Sequence, residues 1–283
     1  MSDVTIDLSK VSHIVVDWDE TITKIATIHL LAAAAYQIKP ELEPKWKALM
    51  ENNVAEVSKF ASLFKPTTLA LSSTPELDAE IEFLEGLKPL EYGLTKKIED
   101  SQIFKGLNPA VFLDLIPQIE FIDGWWDFAK MVESADDPPG IVILSQGLSS
   151  EFVRAVIDAN YPENKIIIYG NDIDWDTGKI FPEGYQVDAK FEESLTDPAV
   201  VHGYVRNITD KERIVSKLKK EALKVGKDLW YFGDSPVDTL SLLVSSRGVV
   251  VNNKETFDNL TDELKVPDLG YIANWNEIKF EST

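Results

Sequence analysis

The sequence predicts an α/β fold: a doubly wound parallel sheet whose strand–helix rhythm is broken once by a long helical insertion. Three observations carry this. Short, uniformly apolar runs recur along the chain, each ending in a polar or glycine-containing loop. Helix-like stretches separate them. From about Thr23 to Pro117 there are helix-like segments and no convincing strand. Uniformly apolar runs, rather than alternating ones, suit strands covered by helices on both faces. Strands alternating with helices suit a parallel sheet.

The predicted strands are His13–Asp17, Gly140–Ser145, Lys165–Tyr169, Asp228–Asp234 and Arg247–Asn252. Helices are predicted between them over Ser149–Ala159, Asp210–Gly226 and Val237–Ser245. In the interruption the predicted helices are Lys24–Tyr36, Pro40–Leu63, Pro75–Asp100 and Pro109–Leu115. About ninety residues of helix is too much for one crossover connection. The expected organisation is therefore a core made of residues 1–23 and 117–283, with a helical domain, residues 24–116, inserted into it.

Composition narrows the chemistry. The chain has 283 residues, 44% of them hydrophobic and 10% aromatic, enough apolar material for a real core. Cysteine is absent, which excludes thiol catalysis, disulfides and thiolate-bound metals. There are three histidines, His13, His29 and His202, too few for a histidine-rich metal site. A net charge of −20 repels nucleic acid and anionic membrane surfaces, so neither is expected as a partner. It also repels a phosphate ester. Any phosphate site must be built locally, from a metal, a lysine and backbone N–H groups. The polar, acidic N-terminus is unlike a secretory or transit peptide, and the longest apolar run, Ile28–Tyr36, is far short of the roughly 20 residues of a membrane span. A cytoplasmic location is the default expectation, as a monomer or homodimer.

In an open parallel sheet ligands bind at the carboxyl ends of the strands. The first run ends in Asp17-Trp18-Asp19-Glu20-Thr21, the second in Ser145-Gln146-Gly147, and the fourth in Gly233-Asp234-Ser235-Pro236-Val237-Asp238. Lys211 precedes the helix leading into the fourth. If these strands are neighbours, the set meets the needs of phosphoryl transfer. A carboxylate such as Asp17 splits hydrolysis into two easier steps through a phosphoryl ester of its own. Asp19, two residues on, is placed to protonate the leaving alkoxide and then deprotonate water. Mg²⁺ takes oxygen ligands, here Asp17 and Asp234. Lys211, Ser145 and neighbouring N–H groups suit the phosphate oxygens.

These residues resemble the four-part signature of the haloacid dehalogenase superfamily: DxDxT, a strand-ending serine, a lysine, then GDxxxD. The resemblance covers about Ser12–Thr23 and Ile119–Asn252. It implies a Rossmann-like core with a helical cap, as in the phosphoserine-phosphatase-like branch. It further implies Asp17 as nucleophile and metal ligand, and Asp19 as general acid/base that reaches Mg²⁺ through its backbone carbonyl. Thr21 orders the loop, Ser145, Gln146 and Lys211 bind phosphate, Asp234 ligates the metal and Asp238 supports it. Asn171–Gly178 resembles that branch's β-hairpin, and Asp210-Lys211 the lysine motif of fungal and plant members acting on polyol or thiamin phosphates. The implied activity is Mg²⁺-dependent hydrolysis of a small phosphorylated metabolite. A phosphotransferase or mutase, or a non-catalytic regulator on the same fold, is the alternative. Glu20, Gln146 and Ser235 stand where glycine is common in the family.

Several of these residues also suit purely structural roles. Ser145 precedes a helix, but Ser149 is the better cap. Lys190 is a rival to Lys211. Trp125-Trp126 reads as core. Asp172, Asp174 and Asp176 read as turn residues, since a calcium loop of the EF-hand type needs a closing glutamate.

Overall fold

The computed structural model describes residues 4–66, 74–180, 201–202 and 205–281. Its strands are β1 (Thr5–Ile6), β2 (Val11–Val16), β3 (Gly140–Leu144), β4 (Ile167–Gly170), β5 (Val201–His202), β6 (Asp228–Gly233), β7 (Arg247–Val251), β8 (Gly270–Ile272) and β9 (Lys279–Phe280). Among the described residues the main sheet has seven strands in the order β5-β4-β3-β2-β6-β7-β8, every pair parallel. The short pair β1 and β9 lies apart from it.

Both faces of this sheet are dry. Along β2, Ile14 and Val16 pack into one apolar cluster with Phe128, Phe152 and Trp275, while Val15 packs into another with Ile214, Leu218 and Val250. Successive strand residues point to opposite faces, so helices must cover both. Each such aliphatic side chain contributes about 1.5–3 kcal/mol on burial. The predicted doubly wound α/β class is the observed one.

The order puts β2 in the middle, between β3 and β6. Val16 is in register with Ile143 on one side and with Phe232 on the other, so the three strands end level. The residues just past those ends therefore share one edge.

The helices of the interruption are α1 (Ile28–Ile38), α2 (Glu43–Leu63), α3 (Pro75–Gly86), α4 (Lys88–Ser101) and α5 (Ala110–Leu113). The single helix predicted over Pro75–Asp100 is two. Pro89 stands in the first turn of α4, where its missing N–H costs nothing, whereas inside a continuous helix its ring would strike a carbonyl. Gly86 ends α3 against Phe60 of α2, whose ring lies 2.6 Å from where a Cβ would sit. α2 packs on α4, and α3 rests on α8 (Ile208–Lys224) of the sheet's own layer; α6 (Trp125–Glu133) and α7 (Ser150–Asn160) precede it.

Other boundaries moved for local reasons. α8 begins two residues before the predicted start, because the Asn207 side chain accepts from the Thr209 and Asp210 N–H groups. α6 was not predicted, although Trp125, Phe128, Ala129 and Val132 form a buried helical stripe. Nor were β5 and β8, which are too short to read as apolar runs. The segment resembling a hairpin shows one antiparallel bridge, Asp174 to Lys179, among the described residues. Asp174 Oδ1 closes its turn by accepting from the Asp176 and Thr177 N–H groups.

Candidate active site

Asp17 follows β2 directly, and its N–H donates to Phe232 O at 2.9 Å, so the last rung of the ladder with β6 orients it. Its carboxylate is buried. Oδ1 accepts from the Trp18 N–H at 2.8 Å and from Lys211 Nζ at 2.9 Å. Lys211 sits in the first turn of α8, 1% exposed, and its ammonium also donates to Asp238 Oδ1 at 2.8 Å. One buried lysine thus joins two acids that sit 221 positions apart in the case of Asp17 and Asp238. Lys190, its rival in the sequence, lies outside the described residues.

Asp238 is fully buried and saturated. Oδ1 takes the Lys211 ammonium and the Tyr231 hydroxyl (2.6 Å); Oδ2 accepts from the N–H groups of Asp234 and Ser235, each at 3.2 Å, and from the Ser235 hydroxyl at 3.0 Å. Gly233 is required beside it. A Cβ there would lie 2.5 Å from Asp238 Cγ. Asp234 is less enclosed by donors: the Thr21 hydroxyl donates to its Oδ1 at 2.8 Å.

Asp19 points its Oδ1 at Thr27, just before α1, accepting from the N–H at 2.6 Å and from the hydroxyl at 2.8 Å. Between them Glu20 adopts a left-handed backbone, φ 59°. That is the conformation glycine favours, which accounts for the glycine common at this position in the resembling family.

Ser145 is buried beneath the loop after β3. Its N–H donates to Tyr169 O, and its hydroxyl accepts from the Gly147 N–H at 2.9 Å. Ser149, not Ser145, caps α7, accepting from the Phe152 N–H at 3.2 Å. Asn171, past the end of β4, clamps this loop: Nδ2 donates to Gly147 O at 2.9 Å and to Val205 O at 2.8 Å. Gln146 turns toward the cleft, and its buried Nε2 has no hydrogen-bond partner among the described residues.

A cleft of about 380 Å³ opens above these groups. Asp17, Asp19, Gln146, Lys211 and Asp234 line it from the sheet edge; Asn53, Leu87, Leu90, Glu91 and Leu94 line it from α2 and α4 and the link before α4. Ser145, Thr21 and Asp238 lie beneath, behind the lining.

The electrostatics follow from burial. Desolvation raises Asp17 well above the usual carboxylate range, with Lys211 opposing and Asp238 and Asp234 adding to the rise. Asp19 is raised by burial, against the Thr27 hydrogen bonds. Asp234 is pushed up to about 7, by burial first and Asp238 second. For Lys211 burial pulls the other way, but Asp17 and Asp238 outweigh it and hold the ammonium charged. Asp238 stays below the ordinary range because Lys211 and its hydrogen bonds overcome its burial.

Oxygen atoms of Asp17, Asp234 and Asp238 lie within 4.8 Å of one another. Lys211 supplies one positive charge among three carboxylates, and among the described residues no lysine or arginine forms an ion pair with Asp234. An all-oxygen, over-acidic cluster of this kind fits a hard divalent cation. Asp238 has no lone pair to spare, which leaves Asp17 and Asp234 as the side chains able to hold one.

Tyr231, Thr27 and Asn171 were missed by sequence reasoning. Tyr231 had a signal, a phenol inside an apolar strand beside the GDxxxD motif. Thr27 and Asn171 had none, since their partners are set by loop paths.

No known family profile matches the chain. A CTO1 family protein of Schizosaccharomyces pombe is 26% identical over 253 residues, covering 87% of this chain and 84% of that one. Cold tolerance protein 1 of Saccharomyces cerevisiae is 27% identical over 263 residues, covering 86% and 79%. Among solved structures, a substrate-bound phosphoserine phosphatase superposes with a TM-score of 0.50 at 14% identity, covering 94% of each chain. A HAD family hydrolase of Salmonella enterica serovar Typhi gives 0.51 at 14% identity, covering 93% of this chain and 67% of that one. With a central β2 flanked by β3 and β6 and a helical stretch between the first two core strands, the chain has the haloacid dehalogenase fold in its phosphoserine-phosphatase-like form.

Proposed function

We propose that the protein is a Mg²⁺-dependent phosphomonoester hydrolase that works through a phosphoryl-Asp17 intermediate. One observation carries the reading: Asp17, Lys211, Asp238 and Asp234 form a single buried charge cluster at the carboxyl edge of the sheet, opening on a cleft.

Asp17 attacks phosphorus with a carboxylate oxygen, and the bond from phosphorus to the ester oxygen breaks. Oδ1 is engaged by Trp18 N–H and Lys211, so the carboxylate is held in one orientation. Asp19, raised by burial, gives its proton to the departing alkoxide. The resulting Asp19 carboxylate then takes a proton from water, whose oxygen attacks phosphorus and breaks the acyl-phosphate bond to Asp17. Lys211 and the Gln146 amide offset charge on the phosphate oxygens. Asp17 and Asp234 side chains, with the Asp19 carbonyl, would hold Mg²⁺. When bound, the cation neutralises phosphate charge that these acids would otherwise repel.

In this reading residues 24–116 act as a cap over a core of residues 1–23 and 117–283. It is supported by the cleft's two walls, acidic from the sheet edge and largely apolar from α2 and α4. The cap keeps bulk water from the leaving-group side.

The test is phosphate release from a panel of sugar, polyol, amino-acid, nucleotide and thiamin phosphates, with and without Mg²⁺. Release that requires Mg²⁺ is expected. No release from any ester would overturn the proposal, and transfer to an added sugar or alcohol in place of release would reassign the enzyme as a phosphotransferase.

A further inference from the structure

The cleft contains a buried carboxyl oxygen that the phosphatase chemistry does not use and that has no hydrogen-bond partner among the described residues. Glu91 is on α4, in the wall opposite the carboxylate floor. Its Oε2 is buried and has no hydrogen-bond partner among the described residues. Buried carboxyl oxygens are almost always paired, because leaving one unpaired costs the desolvation of that group. The wall around it is mostly apolar, with Leu87, Leu90, Leu94 and Ile98; of the two other polar side chains there, the Thr95 hydroxyl donates to the Glu91 backbone carbonyl, and Asn53 of α2 makes no hydrogen bond to Oε2. Arg206, also lining the cleft, is paired with Glu99 on the same helix at 3.4 Å. The helix has thus placed, in a largely apolar wall, an acceptor that has no partner among the described residues.

On the phosphatase reading above, we infer that Glu91 selects the leaving group, accepting a hydrogen bond from a hydroxyl or ammonium group on the alcohol half of the phosphomonoester. The phosphate end is bound by Gln146 and Lys211 across the cleft, so what reaches α4 is the alcohol. The cavity is at the small end of ligand pockets, about 300–1,000 Å³, which suits a short polar alcohol. Burial, with Asp210 adding to it, pushes Glu91 up to about 7. A donor supplied by the substrate stabilises its ionised form. An apolar leaving group leaves Oε2 desolvated and unpaired, and a site built on a hydrogen bond rejects such an analogue strongly.

The experiment uses the full-length protein with Mg²⁺ and three esters. Sorbitol 6-phosphate carries hydroxyl donors, phosphoethanolamine carries an ammonium, and p-nitrophenyl phosphate carries no donor. The readout is the ratio of kcat/KM for each donor ester to that for p-nitrophenyl phosphate. In Glu91→Leu this ratio is expected to fall about tenfold or more for at least one donor ester. Glu91→Gln tells the two sources apart. A hydroxyl still finds the amide oxygen, so its ratio is held to within about threefold; an ammonium loses its counter-charge and falls about tenfold. The melting temperature of Glu91→Leu is expected to rise, because an unpaired buried oxygen has been removed. Ratios that stay within about threefold for both donor esters in Glu91→Leu overturn the inference, as does a lower melting temperature, the mark of a structural role. If the unmodified protein hydrolyses none of the three and no ester of the wider panel either, the phosphatase reading falls and this one with it; hydrolysis of other panel esters but of neither donor ester overturns this inference alone.

Discussion

Tyr231 and Lys211 donate to the same oxygen, Asp238 Oδ1, at 2.6 and 2.8 Å. A strand residue below the sheet edge therefore helps set the position of the ammonium that holds Asp17. Tyr231→Phe removes a hydrogen bond to a buried carboxylate, a loss of about 1.5–3 kcal/mol in stability. It also raises Asp238, which that hydroxyl helps keep ionised. Turnover is expected to fall several-fold, and the acid limb of its pH profile to move to higher pH. A destabilised variant with an unmoved limb would assign Tyr231 a packing role alone.

Asp17→Asn keeps the shape of the side chain and removes the nucleophilic carboxylate. Phosphate release should drop by about four orders of magnitude or more. Near-normal release in that variant would discard the phosphoryl-Asp17 route.

The Thr27 hydroxyl and N–H both hold Asp19 Oδ1. Thr27→Val keeps the N–H and the volume and removes the hydroxyl. Alkyl phosphates need a proton on the departing oxygen, whereas p-nitrophenolate leaves without one. The variant should therefore lose about tenfold in kcat/KM on an alkyl phosphate and less than about threefold on p-nitrophenyl phosphate. Equal losses on both would mean that Thr27 does not position the acid.

Asp234 and Mg²⁺ give a pH test with a definite sign. The folded carboxyl is raised to about 7 from an ordinary value of 3.8. The metal-free fold therefore favours the protonated acid, and stability drops as pH climbs from about 4 to about 7. A divalent cation favours the ionised form. The rise in melting temperature on adding Mg²⁺ should be small near pH 5 and large near pH 8, and Asp234→Asn should abolish most of the difference. An equal rise at both pH values would place the cation elsewhere.

Much of the architecture was legible because it is local. Ile14-Val15-Val16 has no polar interruption, and a strand of that kind must be covered on both faces. Its first polar successor, Asp17, is then at the sheet edge. The same reasoning reaches Asp234 past β6 and Ser145 past β3. Where local signals were misread, the cause was also local: Pro89 split one predicted helix, and the Asn207 cap moved the start of another.

By itself, then, the sequence determined the α/β class, the strand ends and the residue types gathered at them, since apolar period and chain breaks are properties of neighbouring residues. Only the tertiary structure decided which of those residues meet. β2 lies between β3 and β6 through sheet order, and that order brings Thr21 to Asp234 and Lys211 to both Asp17 and Asp238. It also decided that Asp19 turns to Thr27, that Ser145 lies beneath the cleft and that Glu91 lines it with an Oε2 that has no hydrogen-bond partner among the described residues. Those relations depend on register, on loop paths and on what the packed core leaves room for, none of which is carried by spacing along the chain.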